Sequence, residues 1–369
     1  MEFIWDLEFE IWSLDNFMEI FYILKIFFLG VLSFIIAFAM TPILTHFLYK
    51  YKLGKGIRSA KLAPIFASMH QKKAGTPTMG GLLVWVTTLI LTLFFFYMGR
   101  YFDSLWGRLN FLSRSEVFLP LGALVASAFV GLADDLVDIF KMGKHGGGLM
   151  MRHRFLIYTI IAVIGAYWFY FKLDWTTIHI PFVGNYDIGL WYIPLFIFVI
   201  VATAFSVNEI DGLDGLAGGT LLTSFSAFSV IAFVIGKYDL AAFCSVISGA
   251  LFAFLWFNIH PARFFMGDTG SMSLGVTLGV IAMITNSVVF LPIIGFLFVL
   301  ESLSVIIQVG SKKLRGKKVF ISAPFHHHLE AIGWPEAKIV MRFWVLSGVF
   351  AVVGLILFLL DTLYKAGKF

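Results

Sequence analysis

A single cysteine, Cys244, stands in a chain of 369 residues and falls within an apolar run, which excludes a disulfide framework and any thiolate metal site. Charge is scarce as well. Only 13% of the residues are Asp, Glu, Lys or Arg, whereas 60% are hydrophobic and 18% aromatic, which leaves too little polar surface for a water-soluble globule of this size. The opening MEFIWDLEFEIWSLDNFME holds six acids and no Lys or Arg, the reverse of a signal peptide's basic start, so the first apolar run reads as a retained span. Also lacking are an internal period of about 20–50 residues and the inverted pair of broken helices found in many transporters.

What remains is a series of ten apolar stretches, at roughly 20–49, 79–99, 117–133, 155–171, 189–207, 220–236, 241–259, 272–285, 288–310 and 340–363. Each approaches the ~20 residues that a helix needs to cross hydrocarbon. They predict an all-α polytopic membrane protein of about ten transmembrane helices, a single domain over residues 1–369. Residues 20–363 form the core, 364–369 a tail, and a small extracytoplasmic hairpin is expected near 176–188. Trp5, Phe9 and Trp12 recur at helical spacing, so residues 1–19 read as an amphipathic segment outside the cytoplasm or along the interface. With ten spans, the loops of one side carry 18 Lys/Arg and those of the other, with both termini, carry 7. The positive-inside bias places the first set in the cytoplasm and the termini outside.

Acids recur at the cytoplasmic ends of successive spans. Asp134 and Asp135 close the third span in GLADDLVD, with Asp138 one turn later; adjacent carboxylates repel and call for a compensating cation. Asp211 and Asp214 follow the fifth span in NEIDGLDGLAGG, where interleaved glycines let backbone approach a ligand closely. Asp268 follows the seventh in FFMGDTGS, at a helix start that favours anions. Carboxylates beside a phosphate-friendly helix end suggest Mg2+ holding a phosphorylated substrate. The first inner loop adds His70, Lys72, Lys73, Thr76 and Thr78. The last adds His326, His327, His328 and Glu330, a triplet suited to hydrogen bonding rather than zinc, because adjacent side chains point apart. Glu301 stands inside the ninth span as a functional candidate or a partner for a neighbouring helix, and Pro292 and Gly295 upstream can bend that span toward a lipid-facing groove.

In order along the chain, KKAGTPTMGG, GLADD, NEIDGLDGLAGG, LWFNIHPARFFMGDTGSMSLG, SVIIQVGSKKLRGKK and APFHHHLEAIGWPE resemble the phospho-N-acetylmuramoyl-pentapeptide transferases, over about residues 20–363. The resemblance implies a ten-helix homodimer in the bacterial inner membrane. It would move phospho-N-acetylmuramoyl-pentapeptide from its UDP carrier to undecaprenyl phosphate, giving lipid I and UMP for peptidoglycan. It further implies Mg2+ on Asp268, and Asp134 and Asp135 as the essential acidic pair, one a proposed base. The implied substrate-binding set is His70, Lys73, Thr76, Thr78, Asn208, Asp211, Asp214, Phe265, Gln308, His326, His327 and His328. One departure stands out: Asn208, Glu209, Ile210 and Asp211 replace the Asn-Leu-Thr-Asp run common in the family, and Ile210 leans toward the sister transferases that use UDP-N-acetylglucosamine. PFHHHLE lacks those relatives' Asp-Arg and favours the muramoyl enzymes. The UDP-N-acetylhexosamine reading is the runner-up, and a transporter the remote one.

Overall fold

In hydrocarbon every backbone N–H and C=O must find its partner within the chain, so long apolar runs become helices. The computed structural model describes residues 2–54, 73, 75–102, 105–113, 116–142 and 149–367, with backbone alone at 2–17 and 105. In chain order the helices are α1 (Glu2–Lys50), α2 (Leu82–Tyr101), a single turn α3 (Leu105–Arg108), α4 (Phe118–Ile139) and α5 (Met151–Lys172). After a hairpin come α6 (Tyr192–Ile210), α7 (Leu216–Val234), α8 (Tyr238–Asn258), α9 (Asp268–Ile284), the turn α10 (Leu291–Ile294), α11 (Phe296–Arg315), α12 (Phe325–Ala331) and α13 (Glu336–Lys365). Among the described residues, eight helices are long and apolar enough to cross a membrane.

The other two expected spans take different forms. Helix α9 has 17 residues, all buried, and is surrounded by α4, α6, α7 and α2. At ~1.5 Å per residue it is shorter than the hydrocarbon is thick, which a helix screened from lipid by its neighbours tolerates. The stretch 288–310 is interrupted at Gly295, between α10 and α11, as its Pro and Gly suggest. Helix α1 runs unbroken from Glu2 to Lys50 and packs along α8, where buried Lys25 joins Asp239 (3.0 Å) and the Asn110 carbonyl (2.7 Å).

The expected hairpin is present, with β1 (Thr177–Ile180) antiparallel to β2 (Gly184–Asp187). It is clasped to the end of α13: His179 Nε2 lies 2.8 Å from buried Asp361 Oδ2, and the Phe182 amide donates to Asp361 Oδ1 at 2.7 Å.

The approach of α4 to α9 fixes the chemistry-bearing end of the bundle. A Cβ on Gly131 would stand 2.3 Å from the Asp268 carbonyl, so only glycine lets the last turns of α4, with Asp134 and Asp135, reach the start of α9. A cavity of about 1300 Å3 lies between α5, α6 and α11. It is walled by Phe155, Phe198, Val201 and Ile306, with Pro292 and Gly295 at the helix break.

Glu301 of α11 is fully buried and faces His326 of α12, with Oε2 3.1 Å from Nδ1 and Oε1 accepting the His326 amide at 3.2 Å. The intramembrane acid therefore anchors the His loop. Burial opposes charging of the His326 imidazole, but contact with Glu301 outweighs it and raises the pKa. Stabilisation from the pair is then complete below the ordinary imidazole value of ~6.5 and fades as pH rises through the elevated one. The melting temperature of His326→Gln should fall furthest below wild type near pH ~6, and the gap should narrow toward pH ~9. A gap that stays constant over that range would contradict the assignment.

Candidate active site

The two adjacent carboxylates at the end of α4 do different work. Asp135 reaches across to the start of α9, where its oxygens accept the backbone N–H of Asp268 (3.1 Å) and Thr269 (2.9 Å). It thus acts as an N-cap supplied from another helix, meeting two of the donors that a helix start leaves without intrahelical partners. Gly267, which leads into α9 with φ +76°, must be glycine on two counts: the backbone is left-handed, and a Cβ would stand 2.7 Å from both Asp135 Oδ2 and Thr78 Oγ1. Asp134 instead accepts the Leu149 amide (2.7 Å) and pairs with Arg154 Nε (2.8 Å).

Arg154, near the start of α5, is the centre of this arrangement. Its guanidinium touches Asp134, Asp268 Oδ2 (2.9 Å) and Asn208 Oδ1 (3.0 Å), while Asn208 Nδ2 donates to Asp268 Oδ1 at 2.6 Å. The ends of two helices, α4 and α6, and the starts of two others, α5 and α9, therefore meet in one buried polar cluster. Its donors to a cation would be carboxylate and amide oxygens only, the hard set that Mg2+ prefers, and a positive group already bridges them.

Asp214 belongs to a second cluster. Lys73 Nζ lies 2.7 Å from Asp214 Oδ1 and 2.5 Å from Glu336 Oε1, and His260 Nδ1 lies 2.9 Å from Asp214 Oδ2. The Ala262 amide donates to Asp214 and the Asp214 amide to Glu336. Oxygen and nitrogen atoms of Asp214, His260 and Glu336 fall within 4.8 Å of one another, close enough to hold a metal, but Lys73 already supplies the positive charge there. Lys73 also lies 5.9 Å from the Phe265 ring centroid, so this corner pairs a polar cluster with a half-buried aromatic face. Lys73, one of the substrate-binding candidates, is held among these carboxylates by its double ion pair.

The loop between α8 and α9 joins the clusters, carrying His260 and Ala262 at one end and Gly267 and Asp268 at the other. Thr78 is buried with its hydroxyl beside Gly267; Thr76, half-buried, donates its amide to the Lys73 carbonyl. Asp211 occupies the C-cap position of α6. The His triplet does not fully diverge: the His326 and His327 rings pack edge to face, with centroids 4.1 Å apart, whereas His328 turns away. His326 faces Glu301, His327 Nδ1 lies 2.6 Å from Glu330, and His328 Nδ1 accepts the Ile321 amide at 3.3 Å. His326 and His327 border Gly212, which brings this loop to the NEIDG stretch. Gln308 is spent on the loop after α11, accepting from Val319 and Phe320 and donating to the Phe320 carbonyl. His70 lies outside the described residues.

Sequence reasoning missed Arg154, His260 and Glu336. Arg154 was counted only as a topology charge, although an Arg inside the first turn of a span, facing a carboxylate pair one loop earlier, is a signal. Glu336 stands in the quoted GWPE but carries no periodic mark.

Comparison with known proteins agrees with this geometry. Residues 117–286 match the model of glycosyl transferase family 4, and residues 73–83 match phospho-N-acetylmuramoyl-pentapeptide-transferase signature 1. A phospho-N-acetylmuramoyl-pentapeptide-transferase of Chloroflexus aggregans is 38% identical over 341 residues, covering 88% of each chain. Those of Geobacillus sp. (strain WCH70) and Clostridium perfringens are 39% identical over 327 and 325 residues, covering 88% of this chain and 95% and 96% of theirs. With buried acidic motifs drawn together from separate loops and similarity running through nearly the whole length, the chain belongs to the phospho-N-acetylmuramoyl-pentapeptide-transferase family.

Proposed function

We propose that this membrane protein transfers phospho-N-acetylmuramoyl-pentapeptide from UDP to undecaprenyl phosphate, releasing UMP and forming lipid I for peptidoglycan, at the cytoplasmic face of a bacterial inner membrane with both termini outside. The observation that carries the reading is a juxtaposition. The apolar cavity is lined by Met151, Phe155 and Val207, neighbours in sequence of Arg154 and Asn208, so a space fit for a prenyl chain runs up to the buried acidic cluster. One substrate is a lipid and the other a nucleotide, and the site borders both kinds of surroundings.

Undecaprenyl phosphate is a monoester whose second pKa is near ~6, so at neutral pH it is already largely a dianion. Its oxygen attacks the β-phosphorus of the UDP-sugar, the bond from that phosphorus to the bridging oxygen breaks, and UMP leaves with the electron pair. Proton removal is a minor part of the barrier; bringing two anions together is the major one. Arg154 is placed to receive phosphate oxygens, and Asp134 orients Arg154. The Lys73, Asp214 and Phe265 corner is assigned to the nucleoside. Mg2+ fits the oxygen-only cluster, where Asp268 would hold it with Asp134, Asp135 and Asn208 alongside, and it would neutralise phosphate charge.

Purified protein given polyprenyl phosphate and either UDP-N-acetylmuramoyl-pentapeptide or UDP-N-acetylglucosamine should release UMP with the first and little with the second. The opposite preference would move the protein to the sister activity. Asp268→Asn should lower turnover about 100-fold or more in protein that still folds, the scale of losing one electrostatic anchor in a buried site; near wild-type rates at saturating Mg2+ would remove Asp268 from its role. Asp135→Asn should lower the melting temperature, because it puts an NH2 against a helix start, a loss of about 1–2 kcal/mol. An unchanged melting temperature would refute the cap. Glu336→Gln should raise KM for the UDP substrate by roughly tenfold with a smaller effect on kcat, since it loosens Lys73 and Asp214 without touching the acidic cluster. A fall in kcat alone would place Glu336 with the chemistry.

A further inference from the structure

A smaller cavity, of about 770 Å3, opens where α1 ends. It is lined from α1 by Thr41, Thr45, His46 and Lys50, and from α8 and the loop that follows it by Phe257 and Arg263. Neither cation has a carboxylate partner among the described residues: Lys50 Nζ lies 5.7 Å from the Tyr51 ring and the Arg263 guanidinium 5.6 Å from the Phe257 ring. Two cations without a carboxylate partner among the described residues thus face one cavity.

The depth of the cavity is legible from its surroundings. Tyr49, Tyr51 and Trp256 are 54%, 57% and 67% exposed around it, the aromatic belt of a membrane–water boundary. One turn or more farther from the basic end, Ile43 and Phe47 are 74% and 50% exposed on α1, as a lipid-facing surface is. The cavity therefore runs from acyl-chain depth at Thr41 to headgroup depth at Lys50, with its positive charge at the watery end. We propose that it holds the headgroup of an anionic phospholipid, the phosphate between Lys50 and Arg263 and the acyl chains along the exposed face of α1. A zwitterionic lipid would bring its own ammonium into the same positive field, which sets the preference.

The occupied cavity would also steady the active-site loop. The Tyr49 hydroxyl donates to the Arg263 carbonyl at 2.9 Å, and the preceding residue, Ala262, donates its amide to Asp214. Binding at the cavity is independent of which UDP-sugar the enzyme uses, so failure of the lipid proposal and failure of the functional reading are separate results.

The test is native mass spectrometry of the full chain, released from detergent after incubation with equimolar phosphatidylglycerol and phosphatidylcholine. Wild type should retain phosphatidylglycerol over phosphatidylcholine by roughly 30-fold, the scale of two basic residues facing an anionic headgroup. The double variant Lys50→Gln/Arg263→Gln should fall to near parity, and Lys50→Arg/Arg263→Lys should keep the preference. Thr45→Phe, which fills the cavity and leaves its charge alone, should lower retention and serves if the double Gln variant does not fold. Parity in wild type, or an undiminished preference in both the double Gln variant and Thr45→Phe, would overturn the proposal. Inorganic phosphate that raises the melting temperature as much as phosphatidylglycerol does would assign the cavity to free phosphate and overturn the lipid.

Discussion

Three carboxylates held almost out of reach of water set the terms for this end of the molecule. Asp134, Asp135 and Asp268 are each at most 3% exposed, and charges so placed are tolerated only when donors surround them. Two kinds of donor are present. The start of α9 offers backbone N–H groups to Asp135, and Arg154 offers a planar fork to Asp134 and Asp268. Both need the ends of α4, α5 and α9 to meet within hydrogen-bonding distance, which explains why small residues occupy the approach and why α9 is buried along its whole length. Packing here serves electrostatics: the helices are close because the acids could not otherwise be buried.

The acidic motifs divide into two environments instead of one ring. Asp134, Asp135, Asp268 and Asn208 collect around a guanidinium, whereas Asp214 gathers Lys73, His260 and Glu336. A single loop, from the end of α8 to the start of α9, belongs to both. Its length fixes their separation, so a change at either end moves the other. Such a device suits a substrate with a nucleoside at one end and a phosphorus under attack at the other.

Much of this was legible in the sequence. Apolar run length gave the helix order, and Pro292 and Gly295 marked a bend where the structure has a full break, since hydropathy and Gly/Pro punctuation are local properties. The hairpin near 176–188 was legible for the same reason. What a run of letters does not carry is which side chain faces which across the bundle. Asp134 and Asp135 read as an acidic pair with one a proposed base, but the partner of each was not legible, because consecutive residues on a helix point about 100° apart, here one toward α9 and one toward α5. The double ion pair of Lys73 was not legible because its partners lie 141 and 263 residues away. Glu301 read as a functional candidate or a partner for a neighbouring helix; its actual partner, His326, joins it only when α12 folds back.

The long apolar cavity between α5, α6 and α11 has a kinetic meaning. A substrate that enters through it never leaves the bilayer, so it reaches Arg154 by diffusion in two dimensions, while a nucleotide arrives from solution in three. Concentration for the first is then a mole fraction of the membrane, not an amount per litre. Diluting the lipid substrate with inert phospholipid at constant bulk amount would slow the reaction, and adding more of the same membrane would leave the saturation curve unchanged when plotted against mole fraction. The geometry of one wall thus decides the units in which half of the enzyme's kinetics must be written.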